Sequence, residues 1–232
     1  MTAKADRLQA RWPWRRILAG VLVSAMAGCN VAGLLSQAIP KKVKAQYRLP
    51  ENRTLVLVDD PDGTLHDPSL PRTIAVQIGD ALIANRAIGE LVPPDRIDAL
   101  MVQLGEDWKR AGVDQIGATL DAEQVVYLHV SSASLYPQPG LLEPQAEAWV
   151  KVIDVVNRKR LFPSTGSSNG SQDYLLTPKG HRLTVKLLPR GAGEQNPKVD
   201  RLRRRKLARR IARDAARLFY DHLPRQPGEP FE

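Results

Sequence analysis

The sequence predicts an α+β domain, a small and largely antiparallel sheet with helices packed on it. Three observations predict it. Thr54 to Val58, TLVLV, is a continuous apolar and β-branched run of the kind that forms a strand buried on both faces. Gln124 to Ser134 and Ala146 to Val156 also read as strands, and the stretch between them, LYPQPGLLEP, has prolines and a glycine that cannot continue a central strand. Between and after these strands, apolar residues recur at helical spacing. The order is therefore strand, two or three helices, strand meander and closing helix.

The chain opens with targeting and not with fold. Arg11, Arg15 and Arg16 form a positive lead to Ile17–Ala27, an apolar run of 11 residues. A helix crossing a bilayer needs about 20 such residues, so this run is too short to span and fits a cleavable export signal. It ends in Ala25-Met26-Ala27-Gly28, directly before Cys29, the single cysteine. This resembles the bacterial lipobox, with Met26 where leucine is usual. The resemblance implies that Cys29 is acylated and becomes the new amino terminus. The plain alternative is an ordinary secretory signal with an incidental cysteine. Each buried methylene of an acyl chain contributes about 0.8 kcal/mol, so two or three chains hold a protein firmly on a membrane.

Four segments follow: 1–28 is the lipoprotein signal, 29–50 a lipidated tether, 51–225 the α+β domain and 226–232 a tail. Asn30 is not the aspartate that retains many lipoproteins at the inner membrane, which favours the periplasmic face of the outer membrane. At a reach of about 3.3 to 3.6 Å per residue, the tether lets the domain stand tens of ångströms off the bilayer.

Composition narrows the chemistry. With Cys29 lipidated, no thiol remains for a disulfide, for nucleophilic catalysis or for a metal. The whole chain carries a net charge of +9, but Lys198 to Arg225 alone holds 11 basic against 3 acidic residues. The rest of the mature chain is slightly acidic. A general nucleic-acid-binding surface is not indicated, and none is expected of an exported protein.

Taken in order, TLVLV is followed by DDPDGTLHDP, a run of turn formers. Ser69 is placed to cap a helix entered through Pro71, with Ile74, Ile78, Ala81 and Leu82 on one face. A second helix starts after Pro93-Pro94 and carries Ile97, Leu100, Met101, Leu104 and Trp108, with Gly112 as punctuation. Val113, Ile116 and Leu120 point to a short third helix. After the two longer strands, Asn157 to Arg160 is a polar turn into the short return Leu161-Phe162-Pro163. Ser164 to Asp173 reads as a flexible loop, Arg182 to Leu188 as a fourth or edge strand, and Val199 to Leu223 as a long helix whose stripe is Leu207, Ile211, Ala215 and Leu218.

Three local patterns carry a family resemblance: the opening strand TLVLVDDP after a tether, the helix–turn–strand run IGATLDAEQVVYLHVSSASL, and AWVKVIDVVNRKRLFPS, a strand ending in an aspartate, a basic turn and a return. Together they resemble the periplasmic domain family of the TolB amino-terminal part, CsgG, PelC and LpoB, over roughly Arg53 to Leu223. The resemblance implies a binding, pore-forming or assembly part and not an enzyme. The chain lacks an obvious amphipathic membrane-inserting hairpin of the CsgG kind.

The sharpest enzymatic pattern is Asp60-Pro61-Asp62-Gly63-Thr64 after a hydrophobic strand. It fits the DxDGT motif of haloacid-dehalogenase-type phosphatases, with Asp60 as nucleophile and Asp62 as acid/base beside a bound Mg²⁺. Against it, Pro61 removes a backbone N–H where such loops hold phosphate, and no later strand ends in paired acids. A Pro-Asp-Gly turn explains the same residues. His66, His129, His181 and His222 are scattered without metal-ligand spacing, and Ser164 to Gly170 lacks the spacing of a phosphate cradle. No cofactor is implied.

The closing helix repeats Arg203, Lys206, Arg210, Arg213 and Arg217 on one side. The plain reading is a solvated face. The functional one is a face for anionic lipid head groups, an acidic envelope polymer or an acidic protein. The expectation is a membrane-tethered, non-enzymatic binding or assembly factor of a cell-envelope or secretion complex, with envelope protein partners and room for oligomers. The enzymatic alternative is the lipid-anchored phosphatase.

Overall fold

Residues 41–138, 141–164, 180–188 and 196–224 are described by the computed structural model, with the side chain of residue 109 left aside. Strand β1 (Arg53–Asp59) is its axis. Successive side chains of a strand point to opposite faces, and here both faces are covered: Leu55, Val56 and Leu57 are all buried. The apolar run read from the sequence is thus a central strand.

β1 lies between two parallel neighbours, β2 (Glu90–Leu91) and β3 (Gln124–Ser134). Parallel strands need crossover connections, and the intervening helices supply them. Helix α1 (Leu70–Ala84) joins β1 to β2. Helix α2 (Pro94–Leu104), a 3-10 helix (Gly105–Arg110) and α3 (Val113–Thr119) join β2 to β3. The two-residue β2 is invisible in the sequence because it has no apolar run of its own.

The second half of the sheet is the expected antiparallel meander, which makes the sheet mostly antiparallel overall. β3 pairs with β4 (Gln145–Asp154) from Gln124↔Asp154 to Ser134↔Gln145, with an irregularity between Val130 and Ser132. The other edge of β4 is shared end to end. β5 (Lys159–Phe162) takes its Val152–Asp154 end and β6 (His181–Lys186) takes Gln145 to Val150.

Helices cover both faces. α1 and the closing helix α4 (Pro197–Ala216) pack against Val56, Val126, Leu128, Val130, Val150 and Val152. α2 and α3 pack against Leu55, Leu57 and Val125, joined by Trp108 from the 3-10 helix. Burial of the stripe Leu207, Ile211, Ala215 and Leu218 agrees with the periodicity that predicted α4.

Several boundaries differ from the sequence reading for local reasons. Ser69 precedes α1 but makes no side-chain cap; its N–H and hydroxyl donate instead to Asp67 Oδ1 at 3.0 and 2.7 Å. The second helix ends at Gly105, whose φ of 52° stops it, so Trp108 reaches the core from a 3-10 turn. α4 begins at Pro197 with Asn196 Oδ1 accepting from Lys198 N and Val199 N at 3.1 and 3.4 Å. It stops at Ala216, short of the expected Leu223.

The early stop of α4 releases Leu218 and its neighbours to hold the chain that enters the domain. Leu218 O accepts from Gln46 N and Tyr47 N at 2.8 and 3.1 Å, and Val43 and His222 exchange backbone bonds at 2.7 and 3.0 Å. The segment 43–50, read from sequence as tether, is therefore part of the folded unit, with Leu49 buried and Tyr47 stacked on Phe162 at 5.6 Å.

Candidate functional site

The turn after β1 organises one end of the sheet. Asp60 accepts three hydrogen bonds across it, from Thr64 N and Thr64 Oγ1 on Oδ1 and from Leu65 N on Oδ2, all at 2.9 Å. Gly63 takes φ 62° and its N–H donates to Asp60 O at 3.0 Å. Asp62 is exposed. β1 does have parallel neighbours on both sides, as the phosphatase reading asks. Yet both Asp60 oxygens face the turn's own donors, and among the described residues no three His, Cys, Asp or Glu side chains converge as a metal site. The geometry gives Asp60 a turn-forming role.

Beside that turn lies a cleft of about 690 Å³. Its floor is the outer edge of β1, and its walls are α1 on one face of the sheet and α2 with the 3-10 helix on the other. Across its mouth Arg72 of α1 reaches Asp98 and Asp95 of α2, at 2.6 and 2.8 Å. All three are exposed, and an exposed ion pair contributes little net stability. Asp59 ends the floor: the Tyr127 hydroxyl donates to its Oδ2 at 3.0 Å, with His129 Nδ1 3.8 Å from the same oxygen. Burial, and then the neighbouring Asp59 carboxylate, push the Tyr127 hydroxyl well above the ordinary tyrosine range, so it stays a donor. Sequence reading passed over this cleft. The available signal was Asp59 at the close of a buried strand, in register with His129 two residues beyond Tyr127.

The basic face of α4 is only partly free. Arg210 is paired with Asp214 at 2.6 Å, both side chains about four-fifths covered. Arg203 lies by the Tyr136 hydroxyl, which donates to Asp200 at 2.8 Å. Arg217 is half-buried, while Lys206 and Arg213 are exposed. A cluster not picked out by the sequence, Arg201, Arg204 and Arg205, faces His66 across a second hollow at the start of α4. The basic stripe was legible from spacing, but its internal partner Asp214 showed that not every arginine on it is available.

The other histidines serve packing. His181 stands against Phe162 at 5.4 Å and burial lowers its pKa, and His222 closes the bridge to Val43. Cys29 lies outside the described residues, as do nearly all of Ser164 to Asp173 and the tail 226–232.

No family model matches the chain, and no curated protein matches it by sequence. Weak likeness is found to solved structures. The lipoprotein GNA1162 from Neisseria meningitidis is 12% identical at a TM-score of 0.38, covering 69% of this chain and 99% of its own. A PelC dodecamer from Paraburkholderia phytofirmans is 11% identical at 0.38, covering 78% and 98%. The hypothetical protein CT253 from Chlamydia trachomatis is 12% identical at 0.37, covering 73% and 92%.

Proposed function

We propose that the protein is a lipoprotein of the bacterial envelope, held by acylated Cys29 on the periplasmic face of the outer membrane. Its α+β domain, of the TolB amino-terminal and CsgG kind, acts there as a non-enzymatic binding or assembly factor of an envelope or secretion complex. The observation that carries this reading is the clasp at Asp221. Its carboxylate accepts from Ala45 N at 3.0 Å and pairs with Lys44 and Arg48, both at 3.2 Å. The end of the tether is stitched to the segment that follows the closing helix, which suits a domain tethered at that point. The free cations of α4 supply attraction for an anionic surface or partner, each contributing about 1 kcal/mol near an anionic bilayer.

Anchoring is tested in cells by intact-mass spectrometry and fractionation. The mature chain is expected to begin at Cys29 with its mass raised by acyl chains and to sediment with membranes, while Cys29→Ser is expected in the soluble fraction. An unmodified Cys29, or parent protein recovered from cytosol, would overturn the reading.

A further inference from the structure

We propose that the open edge of β1 is a docking site for an extended, positively charged polypeptide segment, added as one more strand beside Val56 to Asp59. The inference goes beyond the anchoring function and stands without it.

The outer edge of β1 is paired only at its start. Arg53 and Thr54 face β2, and Val92 N donates to Thr54 O at 2.9 Å. Backbone groups of a strand alternate from one edge to the other, so Val56 and Val58 turn their N–H and C=O groups the same way as Thr54. Among the described residues no strand takes them. Val56 is nevertheless only 3% exposed. Backbone groups buried without partners are costly, and an unpaired strand edge is a template for another strand.

The cleft is shaped for what such a strand carries. Its side chains would alternate between the two faces of the sheet, and each face has an apolar wall, Pro71 and Ala75 on the α1 side, Ile97, Met101 and Trp108 on the other. Asp59, Asp60 and Asp98 border the cleft against one cation, Arg72, which is already paired. Asp59 has a 44% exposed side chain, and its Oδ1 has no hydrogen-bond partner among the described residues. The chemistry favours a lysine or arginine at the end of the incoming segment. A helix would leave the edge groups unpaired. The cationic edge strand of a second copy, β6, is roofed on one face by α4 through Leu183 and Val185, and cannot slide between two helices as a lone peptide can.

The probe is a fluorescent hexapeptide, acetyl-Lys-Val-Thr-Val-Val-Arg-amide, with its cations at the ends and apolar residues on both faces, and two controls: the same peptide N-methylated at alternate residues, and a composition-matched peptide with its cations and apolar residues in blocks. Binding to the full mature protein in detergent is expected for the first, and at least tenfold weaker for both controls. Amide exchange at Val56 and Val58 is expected to slow at least tenfold on binding. Val58→Pro removes an outward N–H without breaking a bond to β3, and is expected to abolish binding; should it fail to fold, Met101→Trp narrows the cleft from its 43% exposed position with the same expected loss. Equal binding of the N-methylated or block peptide would reduce the effect to charge attraction and overturn the proposal. So would no binding at all, or self-association of the protein that Val58→Pro abolishes, which would make a second copy the occupant.

Discussion

Both carboxylate oxygens of Asp60 are engaged by the turn they belong to, so the residue's contribution is mechanical. Hydrogen bonds to a charged acceptor contribute about 1.5 to 3 kcal/mol, and loss of the acceptor leaves partly buried donors unmet. Asp60→Ala is therefore expected to lower unfolding stability by about 2 kcal/mol in a urea titration, and Thr64→Val, which loses only the hydroxyl's bond, by about 1 kcal/mol. A neutral Asp60→Ala would mean that the turn does not depend on this side chain. The turn was readable because glycine and proline announce it chemically. Asp59 was not, since its meaning depends on Tyr127 and His129, about 70 residues later, arriving in register.

Among the elements, α4 was the most legible and still only in part. Its periodicity fixed which side is buried, because twenty residues at 3.6 per turn leave little choice of face. Its end was not fixed, because the helix stops where Leu218 is claimed by the incoming chain. Asp214 and Tyr136 divide the basic stripe into exposed and occupied cations. Lys206→Glu with Arg213→Glu is expected to weaken co-sedimentation with phosphatidylglycerol vesicles at least tenfold, since about 1 kcal/mol per charge is lost near the surface and reversal adds repulsion. Arg210→Gln is expected to leave sedimentation nearly unchanged and to reduce stability, because that guanidinium already belongs to Asp214. Raising salt from 0.05 to 0.5 M should erase the difference, as the screening length falls from about 14 to about 4 Å. Equal sedimentation of the double variant would remove α4 from the anionic surface.

At the scale of the whole molecule, one sheet is shared by two helical layers, and the layers were harder to read than the strands. Alternation along β1 and β3 requires both faces to be covered, but the parallel pairing of β1 with β3 follows only from the helices that intervene and turn the chain around. The tether's junction is the least visible feature, because Val43 to Pro50 is ordinary in composition and acquires its place from Asp221. The Ala45 N–H, then the Lys44 ammonium, hold the Asp221 carboxyl below its ordinary pKa. A carboxyl depressed in the folded state contributes at pH above its ordinary value, and the contribution is lost as pH falls through the depressed one. The clasp should therefore persist through neutral pH and into mild acid, releasing only below the usual carboxylate range. Asp221→Ala is expected to release it at every pH: trypsin cleavage at Lys44 and Arg48 should quicken at least tenfold at pH 7.5, with the main unfolding transition little moved, because α4 keeps its buried stripe. Protection of the Ala45 amide, taken against its intrinsic exchange rate at each pH, is expected in the parent at pH 5 and lost at pH 2.5, and is expected to be absent at both in the variant. Unchanged cleavage and exchange would show that the Leu218 carbonyl and the Val43 bridge hold the tether unaided.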